Sequence, residues 1–452
     1  MANLSPTQRT KLEALWRSMP SRMRAGLYAA AQAGAATDPQ SGDLLAVFDE
    51  LEALMTEPAG DLAKAYLFEP LRALTAEPDS VPPSKFRFSP DDLSKMWGWL
   101  GRQIAKDLVE EARKCRKPVS DPVWHDFRAR AAAALAEAVA RADRVPKDMT
   151  ALDKRFGPHC RSMLHDAIDL LRFSERIAEV MVGIPAVVDD FDAELCEQVR
   201  AQHEQLITEA PESAVWFLLL VMGRLTSPWQ IFRVVEKIGR RGDDLVVSKT
   251  ELAAVGDTVL ADTGYFSAKL KQPPASRAEA ERYFELFARY VGYSTGMVQE
   301  FGIRKDGRWG RSLFGLRAEA STNVEKVMEK VPLALDTGLP EPRRGKSGRI
   351  IPAQLPPTAA IERANGLLYF LHRAREHANA AAIASAQKRL YDQAERRMQD
   401  AGKMLVDLVA GSSGQSRVSA QECLAIVADL LDAAGSSETA ELLRRRGSAA
   451  AA

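Results

Sequence analysis

What most constrains this chain is a helix-opening pattern that recurs along it. A serine or aspartate stands directly before proline at Ser5-Pro6, Asp38-Pro39, Ser89-Pro90, Asp121-Pro122 and Ser227-Pro228. The side-chain oxygen can accept from backbone N–H groups that a helix start leaves unpaired, and proline fits the first helical position, where an N–H has no partner anyway. Apolar residues at helical spacing follow: Leu44, Leu45, Phe48, Leu51 and Leu54 after the second, and Leu93, Met96, Trp97, Leu100, Ile104 and Leu108 after the third. Ser248 with Glu251, Ser276 with Glu279 and Ser419 with Glu422 have the spacing of capping boxes. No long stretch alternates apolar and polar residues with period two, as a half-buried strand would. The expected class is all-α, either a multi-helix bundle or an irregular array of α-hairpins. No fixed period marks it as a repeat solenoid.

Proline and glycine punctuate the pattern. The stretch Glu77–Phe88 (EPDSVPPSKFRF) reads as an extended connector between an N-terminal helical unit, 1–76, and a central all-helical domain, 89–330. Residues 331–357 hold Pro332, Pro340, Pro342, Pro352, Pro356 and Pro357 with Gly338, Gly345 and Gly348, and few large apolar side chains. That composition predicts a flexible Pro/Gly-rich linker. A C-terminal helical module, 358–446, follows, in which Ile383, Ala386, Leu390, Ala394, Met398, Ala401, Leu405 and Leu408 recur near 3.6 residues. The tail 447–452 is expected to be disordered.

Composition narrows function by exclusion. Lys plus Arg and Asp plus Glu are both 61, so the net charge is zero and no global field draws the chain to nucleic acid or an anionic membrane. Cys115, Cys160, Cys196 and Cys423 include no C-x-x-C pair; they read as small core residues in a reducing compartment. The most apolar run, Val215–Met222, is far shorter than the ~20 residues that span a bilayer, and reads as a buried helix. Met1–Trp16 lacks a basic region followed by an apolar one, so no signal peptide is expected, and the expected location is cytoplasmic.

The motif search returns no catalytic set. Gly338–Ser347 (GLPEPRRGKS) ends like a phosphate-binding loop, but six residues separate Gly338 from Gly345 where that loop requires four, and prolines follow where it requires a helix. His372 and His377 stand about 140° apart around a helix and do not share a metal easily. His159, Cys160, His165 and Asp166 surround a Gly-Pro turn; exposed or capping roles fit them better than a metal site. Asp189, Asp190 and Asp192 sit where negative charge favours a helix start. Trp97, Trp99, Trp216, Phe217, Trp229, Phe232, Tyr283, Phe284, Phe287 and Tyr290 lie in apolar helical patterns and read as core. No catalytic, cofactor or metal residue is assigned, and no cofactor is expected.

The candidate interaction patch is basic. Phe301–Arg317 (FGIRKDGRWGRSLFGLR) carries Arg304, Lys305, Arg308, Arg311 and Arg317 with Trp309 and Phe314 between them, and its glycines predict an irregular, mobile segment. Arg343, Arg344, Lys346 and Arg349 add a second basic cluster. The leading expectation is a non-enzymatic helical scaffold or adaptor that binds partner proteins through helix grooves. A second reading is a phosphate-surface binder, contacting nucleic acid or anionic membrane through 304–317 and 343–349. A third is a helical enzyme whose residues converge from distant helices.

Overall fold

The computed structural model describes residues 61–75, 86–115, 117–157, 160–239, 247–346 and 350–451, together with Met23, Gly26, Leu27 and Phe48. Ser5-Pro6, Asp38-Pro39, the tail residue Ala452 and most of the expected connector fall outside them. The fold is all-α. In chain order the helices used below are α1 (Leu62–Phe68), α2 (Pro90–Trp99), α3 (Lys106–Lys114), α4 (Pro122–Arg144), α5 (Pro146–Phe156), α6 (Cys160–Val180), α7 (Ala193–Glu209), α8 (Pro211–Arg224), α9 (Phe232–Gly239), α10 (Ala253–Lys269), α11 (Arg277–Glu300), α12 (Arg308–Met328), α13 (Val331–Gly338), α14 (Thr358–Arg373), α15 (Ala384–Gly411), α16 (Gln415–Ala433) and α17 (Ser437–Ala451). Two short strands, β1 (Arg343–Arg344) and β2 (Ile350–Ile351), pair antiparallel between α13 and α14.

The helix-opening chemistry works at two of the three Ser-Pro or Asp-Pro sites among the described residues; at Ser227-Pro228 the serine makes no capping bond and a short 3-10 turn, Pro228–Ile231, precedes α9. Ser89 accepts from the N–H of Asp92 at 3.0 Å and opens α2. Asp121 accepts from Val123 at 3.0 Å ahead of Pro122 and opens α4. At α11, Glu279 N–H donates to Ser276 Oγ while its carboxylate takes the N–H of Ala275 at 2.8 Å. The other two capping-box spacings do not open helices. Ser248–Glu251 lies in turns before α10, and Ser419 lies inside α16, which starts four residues earlier. Spacing alone does not distinguish a helix start from the same letters in a turn or within a helix.

Contacts divide the chain into two compact units. The first runs to Ala261 and includes Glu300–Ile303; the second comprises Asp262–Gln299 and Arg304–Ala452. In the first unit α4 packs along α6, and α7 along α8. Trp216 through Met222 on α8 are all buried, as the apolar run predicts. Trp124, Phe88, Phe191, Phe217, Phe232 and Phe301 are fully buried around them. Arg128 is 7% exposed and binds the Tyr66 carbonyl at 2.9 Å, with its guanidinium over the Tyr66 ring at 4.1 Å, so α1 is tied to α4. Arg233 grips Glu300 with two hydrogen bonds and takes the Phe191 carbonyl at 2.6 Å. His203 on α7 is 4% exposed; burial holds its imidazole below the ordinary histidine range.

In the second unit α15, α16 and α17 pack on one another, and α14 lies against α13 and α16. Here the expected linker is largely ordered. Val331, Ala334, Leu335 and Gly338 of α13 are buried at i, i+3, i+4 and i+7, a helical stripe that the surrounding prolines masked. Pro332 stands at a first-turn position, which tolerates proline. Gly338 is required by close approach: a Cβ there would lie 2.5 Å from the Ala360 carbonyl oxygen on α14. The expected disordered tail is also helical, with α17 reaching Ala451 and Gly447 buried. Arg417 holds its end by donating to the Ala451 carbonyl at 3.0 Å, a favourable cation at a helix C-terminus. Cys160, Cys196 and Cys423 are buried free thiols, and Cys115 is partly exposed. Among the described residues no helix is long and apolar enough to cross a membrane.

Candidate interaction surface

The two basic segments both belong to the second unit, and the structure treats them differently. The first is irregular, as its glycines predict, only over residues 301–307. From Arg308 it is helix α12, opened at Gly307, with Arg311 N–H donating to the Gly307 carbonyl at 3.0 Å. Trp309 is 0% exposed, so it offers no face to a ligand. Gly310 is pressed against the Arg304 carbonyl so closely that any Cβ would collide with it.

The basic side chains of this segment are largely engaged within the chain. Arg304 forms an ion pair with Asp306 at 3.3 Å. Arg311 donates to the Asp306 carbonyl at 2.6 Å. Arg317 donates to the Ala380 carbonyl at 3.2 Å. Lys305 and Arg317 flank the Phe314 ring at 5.7 and 5.8 Å, within cation–π range. Arg308 lies 6.0 Å from the Trp309 ring centroid. Arg304, Arg308 and Trp309 each have further partners.

The second segment is built the opposite way. Its stem is clamped and its far part projects. Arg397 on α15 donates to both carboxylate oxygens of Glu341, pairs with Asp336 at 2.7 Å and donates to the Pro332 carbonyl at 3.3 Å. These carboxylates hold the Arg397 guanidinium above its ordinary range. Leu339, Pro340 and Pro342 are buried beside it. At the other end, Ala360 N–H donates to the Pro357 carbonyl at 2.9 Å and α14 begins. Between these anchors β1 pairs with β2 in the register Arg343↔Ile351 and Arg344↔Ile350. Arg343, Arg344 and Lys346 are exposed, and Arg349 lies outside the described residues. Ile351 is 53% exposed and Leu355 49%, while Leu333 on the clamped α13 is 66% exposed.

Motif reasoning missed a second set of residues because they sit on different helices. Arg277 of α11 lies over the Tyr369 ring of α14 at 3.5 Å. Arg373, one turn on from Tyr369, covers Phe284 of α11 at 4.4 Å, and His377 stacks on the same ring with 20° between planes. Glu281 and Glu376 pair with Arg277 and Arg373. This ladder joins α11 to α14 and is a packing device. Nothing in either helix's sequence shows which of its arginines meets which ring.

The remaining candidates resolve into local roles. Asp192 caps α7, accepting from Leu195 N–H at 2.8 Å, and Asp189 takes the Thr226 hydroxyl at 2.6 Å. His165 lies 3.5 Å from Asp143, and His125 bonds Glu175 at 2.8 Å; His159 lies outside the described residues. The aromatic side chains of the apolar helical patterns are buried apart from Trp229, which is half-buried. Among the described residues no three His, Cys, Asp or Glu side chains converge as a metal site would require. No family model matches this chain, and no curated protein or solved structure matches it.

Proposed function

We propose that this protein is a non-enzymatic helical scaffold that binds partner proteins. The observation that carries this reading is the arm between α13 and α14. Exposed aliphatic side chains (Ile351 and Leu355) stand there on the same stretch as Arg343, Arg344 and Lys346, which meet no carboxylate among the described residues, and its stem and far end are both fastened to helices. A protein interface combines an apolar centre with a polar rim, and an ordered surface loses less entropy on binding than a loose tether would.

The phosphate-surface alternative loses Trp309, which is inside the core, and keeps the half-buried Phe314 as its aromatic component. Of its basic residues Arg304 and Arg311 are already engaged within the chain, whereas Arg343, Arg344 and Lys346 meet no carboxylate among the described residues. Cross-linking of the full-length chain in its own cells tests the adaptor reading. The expected outcome is repeated cross-links from residues 333–357 to the same partner proteins. A chain that yields no reproducible inter-protein cross-link overturns it.

A further inference from the structure

We infer that the arm from β1 to Pro357 is a docking edge for an acidic, extended segment of a partner protein. This rests on the adaptor reading above and names its site.

Charge is the first argument. From Pro342 to Pro357 the sequence holds Arg343, Arg344, Lys346 and Arg349 and no aspartate or glutamate, in a chain whose net charge is zero. Among the described residues Arg343, Arg344 and Lys346 meet no carboxylate, unlike Arg304, which meets Asp306. A cluster that the chain does not neutralise itself selects an anionic partner and speeds its arrival.

The backbone is the second argument. In an antiparallel pair, successive residues alternate between turning their N–H and C=O toward the partner strand and away from it. One of Arg343 and Arg344 therefore offers both groups outward, and among the described residues no third strand takes them. An extended segment adding along this edge completes the pairing, which is how strand addition generates affinity. After β2, Ile351 and Leu355 supply exposed aliphatic surface for alternate apolar side chains of that segment.

The third argument selects a peptide over nucleic acid. Single-stranded nucleic acid is held by stacking bases on aromatic rings, and Pro342–Pro357 contains no Phe, Tyr or Trp. Aliphatic side chains and a strand edge suit a peptide instead.

The test uses the full-length chain, a labelled peptide of about ten residues alternating Glu and Val, the same peptide with Lys for Glu, and labelled oligothymidylate. Anisotropy is read for the natural chain, for R343E/R344E/K346E and for I351S/L355S, with unchanged helical circular dichroism confirming that each variant folds. The acidic peptide is expected to bind and the Lys peptide to fail. Charge reversal should weaken acidic-peptide binding about tenfold or more, I351S/L355S should weaken it several-fold, and binding should weaken with salt. Equal binding of the acidic peptide to the natural and charge-reversed chains overturns the proposal. So does no binding of that peptide, or tighter binding of oligothymidylate at this site. Cross-linking partners that persist unchanged on R343E/R344E/K346E would remove the docking edge while leaving the adaptor reading in place.

Discussion

Residues 304–317 and 343–357 look alike as sequence: each is basic, glycine-containing and short of acids. The first buries its tryptophan and engages its arginines within the chain, although Arg304, Lys305, Arg308 and Arg311 stay exposed; the second leaves its basic side chains without a carboxylate among the described residues. In the first, Gly310 lets the start of α12 press onto the Arg304 carbonyl, Trp309 is swallowed, and the arginines find carbonyls, Asp306 or the Phe314 ring. In the second, Arg397 fastens the stem, and among the described residues Arg343, Arg344 and Lys346 meet no carboxylate. A run of positive charge therefore says nothing about whether the chain itself engages it. What decides that is whether the segment folds against carbonyls, a carboxylate or a ring of its own, as 304–317 does.

The largest expected effect breaks the comparison directly. Trp309→Ala should cost about 3–5 kcal/mol in urea unfolding, as for a large aromatic removed from a core. A cost under ~1 kcal/mol would mean that the 304–317 segment is a surface loop after all. Gly310→Ala comes next, at about 1–3 kcal/mol, because its Cβ meets backbone and backbone yields little. Arg397→Ala should cost about 1.5–3 kcal/mol by releasing hydrogen bonds to the Glu341 carboxylate. Its clearer signature is faster amide exchange across 339–346, with the α12 amides unchanged. Arg343→Ala with Arg344→Ala should change stability by less than about 0.5 kcal/mol, since both are exposed.

Acid separates buried from exposed groups in another way. His203 is held neutral by burial, so its folded pKa is depressed, whereas the unfolded chain takes up a proton near pH 6.5. Stability should be fully present above that pH and fall as pH drops through it, and His203→Gln should flatten this part of the profile. The stretch Pro342–Pro357 contains no histidine, so peptide binding there should not follow the same curve. A thermal-melting series between pH 5 and 8, run beside the peptide titration, checks both.

Much of the fold was legible because it depends on local chemistry. The oxygen before proline at Ser89 and Asp121, the apolar run on α8 and the aromatic core residues all behave as their neighbours in sequence predict. Helix α13 was not legible, because four buried positions among six prolines do not outweigh composition until α14 is there to cover them. The extension of α17 through the tail was missed for a related reason: Arg417, a residue of α16, donates to the Ala451 carbonyl. At the candidate surface the basic residues were all visible, but which of them the chain itself would engage was not.

The amino-acid order by itself determined the helical class, the starts of α2, α4, α7 and α11, the buried α8 stripe and the positions of positive charge, since each depends on residues within a few turns of one another. Tertiary structure alone decided that Trp309 is core, that α13 is a helix and that β1 and β2 form an exposed edge. Those outcomes depend on Arg304, Ala360 and Arg397 meeting groups that are near in space, and at Ala360 and Arg397 far along the chain. Burial and pairing are properties of that meeting, not of either segment alone.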